Sequence, residues 1–137
     1  PTAGLDPTER HRFLNLLSEI GQNIVVILST HIVEDVRELC SNVAVIAAGQ
    51  VRVQGSQDAL IEGLRGKIWR RRIAREALAE QQARHRVIST RLIAGTPEIR
   101  VYADALPEEG YLAVDPDLED VYFHQVTAAA AAAAEAA

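Results

Sequence analysis

Sulfur is almost missing from this chain, which has one cysteine, Cys40, and no methionine in 137 residues. A lone thiol excludes an internal disulfide and any cysteine-cluster zinc site. Methionine is missing even at position 1, so the chain reads as part of a longer protein or a processed product. Aromatic residues make up only 4%, and Trp69 is the one tryptophan. The longest apolar runs, 24–28 and 43–48, are far too short to cross a bilayer, and no secretion signal opens the chain. No H-E-x-x-H occurs, and His11, His31, His85 and His124 show no metal-ligand spacing. Ser89 lies four residues from His85 on a predicted strand, a placement that gives no catalytic triad. A phosphate-cradling loop needs G-x-x-x-x-G-K-[ST], because backbone amides and the lysine hold phosphates while the hydroxyl binds magnesium. The one Gly-Lys pair, Gly66-Lys67, has Ile61 and Ile68 at the two other required positions.

What remains is the composition of a globular protein, 48% apolar and 24% charged, sized for one domain or a small domain plus an appendage. Its net charge of −5 is unevenly spread. Between positions 67 and 91, eight basic residues (Lys67, Arg70, Arg71, Arg72, Arg75, Arg84, Arg86, Arg91) face only Glu76 and Glu80. Such a tract marks either an anionic partner or a face paired within the molecule. Glu108, Glu109, Asp115, Asp117, Glu119 and Asp120 are available as internal partners, and internal pairing is the preferred reading. Trp69, amid three arginines, could stack a base; with no second aromatic beside it, packing is favoured.

Local signals divide the chain into elements. Asp6-Pro7, with Glu9, starts a helix over 7–20 that Gly21 stops; Phe13, Leu16, Leu17 and Ile20 form its inward stripe. The run Ile24-Val25-Val26-Ile27-Leu28 predicts a parallel strand buried on both faces. A short helix over 32–40 follows, with Val36, Leu39 and Cys40 inward and Cys40 a buried small apolar residue. Two strands, 42–47 and 50–54, turn about Gly49, and Ser56 caps a helix over 57–64. Gly63 and Gly66 then mark a boundary. Beyond it come a strand (67–74), a helix (75–83), two strands (87–94 and 98–105) about Thr96-Pro97, a turn at 107–110, and a helix opening at Asp117 behind Asp115-Pro116. The alanine-rich end, 128–137, has high helix propensity but no packing face, and reads as a frayed extension.

His31 stands just past the carboxyl end of the apolar run, where parallel α/β sheets bind ligands. Taken alone, a histidine there more often caps or packs. The opening Pro1-Thr2-Ala3-Gly4-Leu5-Asp6-Pro7 alters that balance, because it resembles the stretch after the Walker B strand of ABC ATPases, including the D-loop. Ser29-Thr30-His31, twenty-five residues after Asp6, resembles the same family's switch-histidine loop. The order that follows also agrees: acidic helix, Leu39-Cys40, strand, Gly49-Gln50-Val51, strand, Gly55. The resemblance runs over residues 1 to about 64. More weakly, Leu118-Glu119-Asp120-Val121-Tyr122 is similar to the closing helix of exporter-type subunits that carry a variable C-terminal module. Ser41-Asn42 departs from the family, where Asp-Arg is common, a change expected to alter a local cap.

The resemblance implies an α/β fold in which 1–64 is the C-terminal segment of a P-loop NTPase (ABC ATPase) nucleotide-binding domain. A small α+β (βαββα) accessory domain would occupy 65–127, followed by the alanine-rich tail. It implies that His31 hydrogen-bonds the γ-phosphate of ATP and helps to align the attacking water. Gly4, Leu5 and Asp6 would lie at the interface with a second nucleotide-binding domain in a homo- or heterodimer. ATP and Mg2+ are implied for the intact parent and a membrane permease subunit for its partner, at the cytoplasmic face of the plasma membrane. In the family, the magnesium-associated aspartate and catalytic glutamate directly precede the residue matching Pro1. The chain on its own is therefore not expected to hydrolyse ATP. Metal sites are not expected. Two alternatives stay open: an autonomous dimerisation or regulatory module, and a nucleic-acid-binding domain using the arginine-rich segment, although nucleic acid is the less favoured partner.

Overall fold

The computed structural model describes residues 2–136. Helix α1 (Pro7–Gly21) starts where Asp6 and Pro7 demand it. The Asp6 carboxylate accepts from the Glu9 backbone N–H at 2.9 Å, and Glu9 accepts in return from the Asp6 N–H, closing a capping box. Its apolar stripe is less covered than its spacing predicts. Leu14 is buried, but Leu16 and Ile20 are exposed. The helix packs chiefly on the short α2 (Val33–Leu39).

Residues 24–28 correct the expectation of a buried strand. They carry no regular structure and join neither sheet, and Val25 and Ile27 are 89% and 91% exposed. A strand is completed only by a neighbour about 4.8 Å away. Among the described residues none lies alongside, so the β-branched run stays open to solvent.

Past α2, β1 (Asn42–Ala47) and β2 (Gln50–Ser56) pair antiparallel across Ala48 and Gly49, both left-handed at φ 52° and 70°. That geometry matches the twist of a two-residue hairpin. The Ser56 hydroxyl then accepts from the Ala59 N–H at 3.3 Å and caps α3 (Gln57–Glu62). The Gln57 side-chain amide donates to the Val36 carbonyl at 3.0 Å, tying α3 to the end of α2.

The second sheet contains β3 (Ile68–Arg72), β4 (Val87–Ile93), β5 (Thr96–Tyr102) and the two-residue β6 (Leu112–Ala113). All its pairs are antiparallel, in the order β4-β5-β3-β6. A 3-10 turn (Arg75–Ala77) and α4 (Leu78–Arg84) connect β3 to β4, and α5 (Leu118–Ala136) closes the chain. The β4–β5 turn falls at Ala94-Gly95, left-handed at φ 49° and 81°, rather than at Thr96-Pro97. Pro97 instead lies inside β5, where its carbonyl accepts from the Ile73 N–H at 2.9 Å.

Strand alternation gives this sheet two unlike faces. Ile99 and Val101 join Ile73 and Tyr111 in a core covered by Ala77 and Leu78. On the other face, Ile68 and Ile88 meet Leu64, Leu118 and Val121, against which Val43 and Val53 of the hairpin also pack. Helix α5 therefore shares one core with residues on both sides of position 65. Its first turn is capped reciprocally, Asp117 accepting from the Asp120 N–H at 2.9 Å and Asp120 from the Asp117 N–H at 3.0 Å. Arg100 of β5 pairs with the buried Asp120.

The alanine-rich end corrects another expectation. Helix α5 continues unbroken to Ala136, and Ala129 is buried, because alanine has the best helix propensity and no side chain to obstruct close packing. Ala137 lies outside the described residues.

Six of the eight basic residues in the 67–91 tract have an acidic partner. Arg70 and Arg72 share Glu98, Arg71 and Arg84 share Glu108, Arg91 meets Glu119, and Lys67 meets Asp104. A hydrogen bond from Gln81 and the cations of Arg84 and Arg71 hold Glu108 below the usual carboxylate range, against burial. Trp69 donates to the Ala103 carbonyl at 3.0 Å and packs on the second core, not on solvent.

His124 of α5 stacks on Tyr102 with ring centroids 4.3 Å apart, and its buried Nδ1 has no hydrogen-bond partner. Burial, then the Arg86 and Lys67 cations, push this imidazole below its ordinary value. A histidine depressed in the native state binds its proton more readily when unfolded. Its contribution to stability is thus fully present above the unfolded pKa of about 6.5 and lost as pH falls through the lower folded value. Urea unfolding of the wild type is expected to show that decline below neutrality, and His124→Gln is expected to flatten it.

Candidate functional site

Two loops flank the packing of α1 on α2. The first, residues 3–6, is an exposed turn in which the Leu5 N–H donates to the Thr2 carbonyl at 3.2 Å. Gly4 sits at φ +87°, a backbone that side chains rarely adopt, and no atom lies within 4 Å of where its Cβ would be. Leu5 is partly exposed, and the Asp6 carboxylate is occupied by the cap of α1.

The second loop is Ser29-Thr30-His31. The Thr30 hydroxyl accepts from the Ile32 N–H at 3.0 Å, holding the chain as it turns into α2. His31 is exposed. It borders a groove of about 670 Å3, which runs between residues 26–31, α2, β1 and the start of α5. The walls are mainly aliphatic, with Val26, Leu28, Val36 and Val45 among them, while Ser29, Thr30 and His31 line the same groove with polar groups. Cys40, expected to be buried, is half-buried on this groove, and burial pushes its thiol up.

What joins the loops is a group that periodicity did not single out. Asp35, on the first turn of α2, is fully buried. One carboxylate oxygen accepts from the Thr2 hydroxyl; the other accepts from Arg10 Nε at 3.1 Å and Nη2 at 2.6 Å. Glu38 lies 3.7 Å from the same guanidinium. Burial alone would push the Asp35 carboxyl up, but the Thr2 and Arg10 hydrogen bonds outweigh it and hold the group below the usual carboxylate range. In sequence, Asp35 reads as one of several acidic residues on a short helix, and only its partners twenty-five and thirty-three positions away give it a role.

An imidazole and two hydroxyls suit one polar contact with an oxyanion. They do not form the amide cradle of a whole nucleotide, nor do they supply magnesium's oxygen ligands. Among the described residues, no three His, Cys, Asp or Glu side chains are grouped to hold a metal ion. No helix there is long and apolar enough to cross a membrane.

The chain belongs to the ATP-binding proteins of ABC transporters. It is 33% identical over 135 residues, 89% of its length, to Nod factor export ATP-binding protein I of Rhizobium meliloti (strain 1021). Over 63 residues, 44% of its length, it is 40% identical to Methionine import ATP-binding protein MetN of Latilactobacillus sakei subsp. sakei (strain 23K). It spans 39% and 18% of those two relatives, respectively. No family model matches it.

Because Asp6 caps α1, its structural share can be separated from any other role. Asp6→Ala is expected to lower stability by about 1 kcal/mol in urea unfolding, whereas Asp6→Ser, which keeps a cap, loses only a few tenths.

Proposed function

We propose that the chain is the C-terminal part of the ATP-binding subunit of an ABC transporter. Residues 1–64 complete the nucleotide-binding domain, 65–127 form an accessory α+β domain, and 128–137 are an alanine-rich tail. The observation that carries this reading is the exposed His31 on a groove beside an apolar run with no strand neighbour among the described residues, in a chain related to ABC ATP-binding proteins along 89% of its length. In this reading the subunit's other segments supply the strands that flank residues 24–28.

ATP is the substrate. His31 donates a hydrogen bond to its γ-phosphate and helps to align the attacking water, so the histidine acts by position and charge rather than by covalent chemistry. Magnesium and the remaining phosphate contacts belong to other parts of the subunit. Gly4, Leu5 and Asp6 meet a second nucleotide-binding domain, identical or related. The subunit docks on a membrane permease from the cytoplasmic side. The separate core of the second sheet supports the accessory domain as a unit, which contributes dimerisation, regulation or substrate selection. Internal pairing of most of the arginine-rich tract weighs against nucleic-acid binding.

His31→Ala in the full-length subunit is expected to slow ATP hydrolysis about a hundredfold or more while leaving nucleotide binding nearly intact. Steady-state turnover alongside equilibrium binding checks this, and normal turnover would remove His31 from the reaction. Titration calorimetry of the 137-residue chain with micromolar ATP is expected to show no binding. A tight isotherm would place a complete nucleotide site within the chain.

A further inference from the structure

A single buried carboxylate fastens both ends of the opening loop. Thr2 precedes residues 3–6 and Arg10 follows them on the first turns of α1, and both donate to Asp35. The division is complete, since each carboxylate oxygen serves a different arm. From Asp35 the bonding continues back toward His31. The Asp35 N–H donates to the Ile32 carbonyl at 3.1 Å, and the Ile32 N–H donates to the Thr30 hydroxyl at 3.0 Å. Loop 3–6 and the Ser29-Thr30-His31 loop are thereby joined by four residues, Thr2, Asp35, Ile32 and Thr30, with no gap in the hydrogen bonding.

Packing of α1 on α2 would not by itself require this arrangement. A buried charge is costly, and an apolar residue at 35 would serve simple helix contact with less desolvation. A charge whose two oxygens hold two segments instead fixes one relative to the other, because moving either arm strands a buried oxygen.

We infer that Asp35 is a positioning residue that makes loop 3–6 and the His31 loop one rigid unit, so that a contact made by loop 3–6 with a second nucleotide-binding domain sets the orientation of the His31 imidazole. The inference rests on the reading of His31 and loop 3–6 given under Proposed function. Loop 3–6 is exposed and free to meet a partner, while its link to the other loop starts at the buried Thr2–Asp35 bond and runs on through the half-buried Ile32 and Thr30. Information about the partner's presence thus passes through a continuous bond network anchored on a buried carboxylate.

The test uses Thr2→Val, which removes one arm but leaves the Asp35–Arg10 pair in place, and Asp35→Asn, which keeps the shape and removes the charge. In the 137-residue chain, Thr2→Val is expected to speed amide hydrogen exchange at Leu5 and Ile32 together, by about tenfold, with Ile99 and Val101 of β5 unchanged. A rise confined to Leu5 overturns the inference, because the two loops then move apart. In the full-length subunit, both variants are expected to lower kcat about tenfold with KM for ATP within about twofold, and Thr2→Val added to His31→Ala is expected to cost nothing more. A slow His31→Ala variant that slows further on adding Thr2→Val overturns the positioning role alone. Normal turnover by His31→Ala overturns the reading of His31, and the positioning role with it.

Discussion

A carboxylate with no access to water must have its charge answered from within, and at Asp35 that requirement organises the front of the molecule. Removing such a group from solvent costs several kcal/mol, recovered only when good hydrogen bonds and an opposite charge are in place. Thr2 and Arg10 meet the requirement, and in doing so they bring the segment before α1 and the helix itself onto α2. On α1 only Leu14 is buried, with Phe13 and Leu17 half-buried and Leu16 and Ile20 exposed. This ion pair therefore fixes its placement alongside that burial. The left-handed turn at Gly4 and the bend before α2 inherit their placement from the same bond.

The two halves of the chain satisfy their backbones in different ways. The four-stranded sheet pairs its strands internally, and both its faces are covered, one by the residues around α4 and the other by α5. Residues 24–28 do neither. Their side chains are those of a strand buried on both faces, yet most of them stand in water, and 26–28 line a groove whose opposite walls, Val36, Val43 and Val45, are half-buried or buried. An open apolar strand edge is a liability in an isolated domain and ordinary in a segment that belongs beside others. Helix α5 moderates the contrast by returning from the second sheet to the hairpin and α2, so the core beneath it is common to both halves.

Much of this was legible locally. Asp6-Pro7 with Glu9, and Ser56 before α3, each place a carboxylate or hydroxyl where free backbone N–H groups need an acceptor, and each works as a cap, whereas α5 is capped by Asp117 and not by the expected Asp115-Pro116. Gly49 marked its hairpin correctly. At the β4–β5 turn, Thr96-Pro97 drew attention away from Ala94-Gly95, because proline is a strong punctuator whereas an alanine in the left-handed region gives no signal. The buried stripe on α1 and the strand at 24–28 were read from periodicity and composition, which report what a segment is suited to bury against. They say nothing about whether a covering surface is present. Pairing of the arginine-rich tract was foreseen in kind, though Glu98 and Asp104 were not among the expected acids.

The candidate site divides along the same line. The Gly4-Leu5-Asp6 turn and Ser29-Thr30-His31 could be found from residue types and spacing, because their chemistry lies in contiguous residues. Asp35, Thr2 and Arg10 could not, because a buried ion pair is defined by distance in space and any of several acidic residues on α2 could have filled the role. The sequence by itself determined the starts of α1 and α3, the turn at Gly49 and the family, all written in short runs where one residue's sterics or hydrogen-bonding capacity suffices. Only the tertiary structure decided which carboxylate lost its water, which apolar run stayed exposed and which helix joined the two halves. Burial and pairing are properties of surfaces brought together, and no stretch of chain carries them alone.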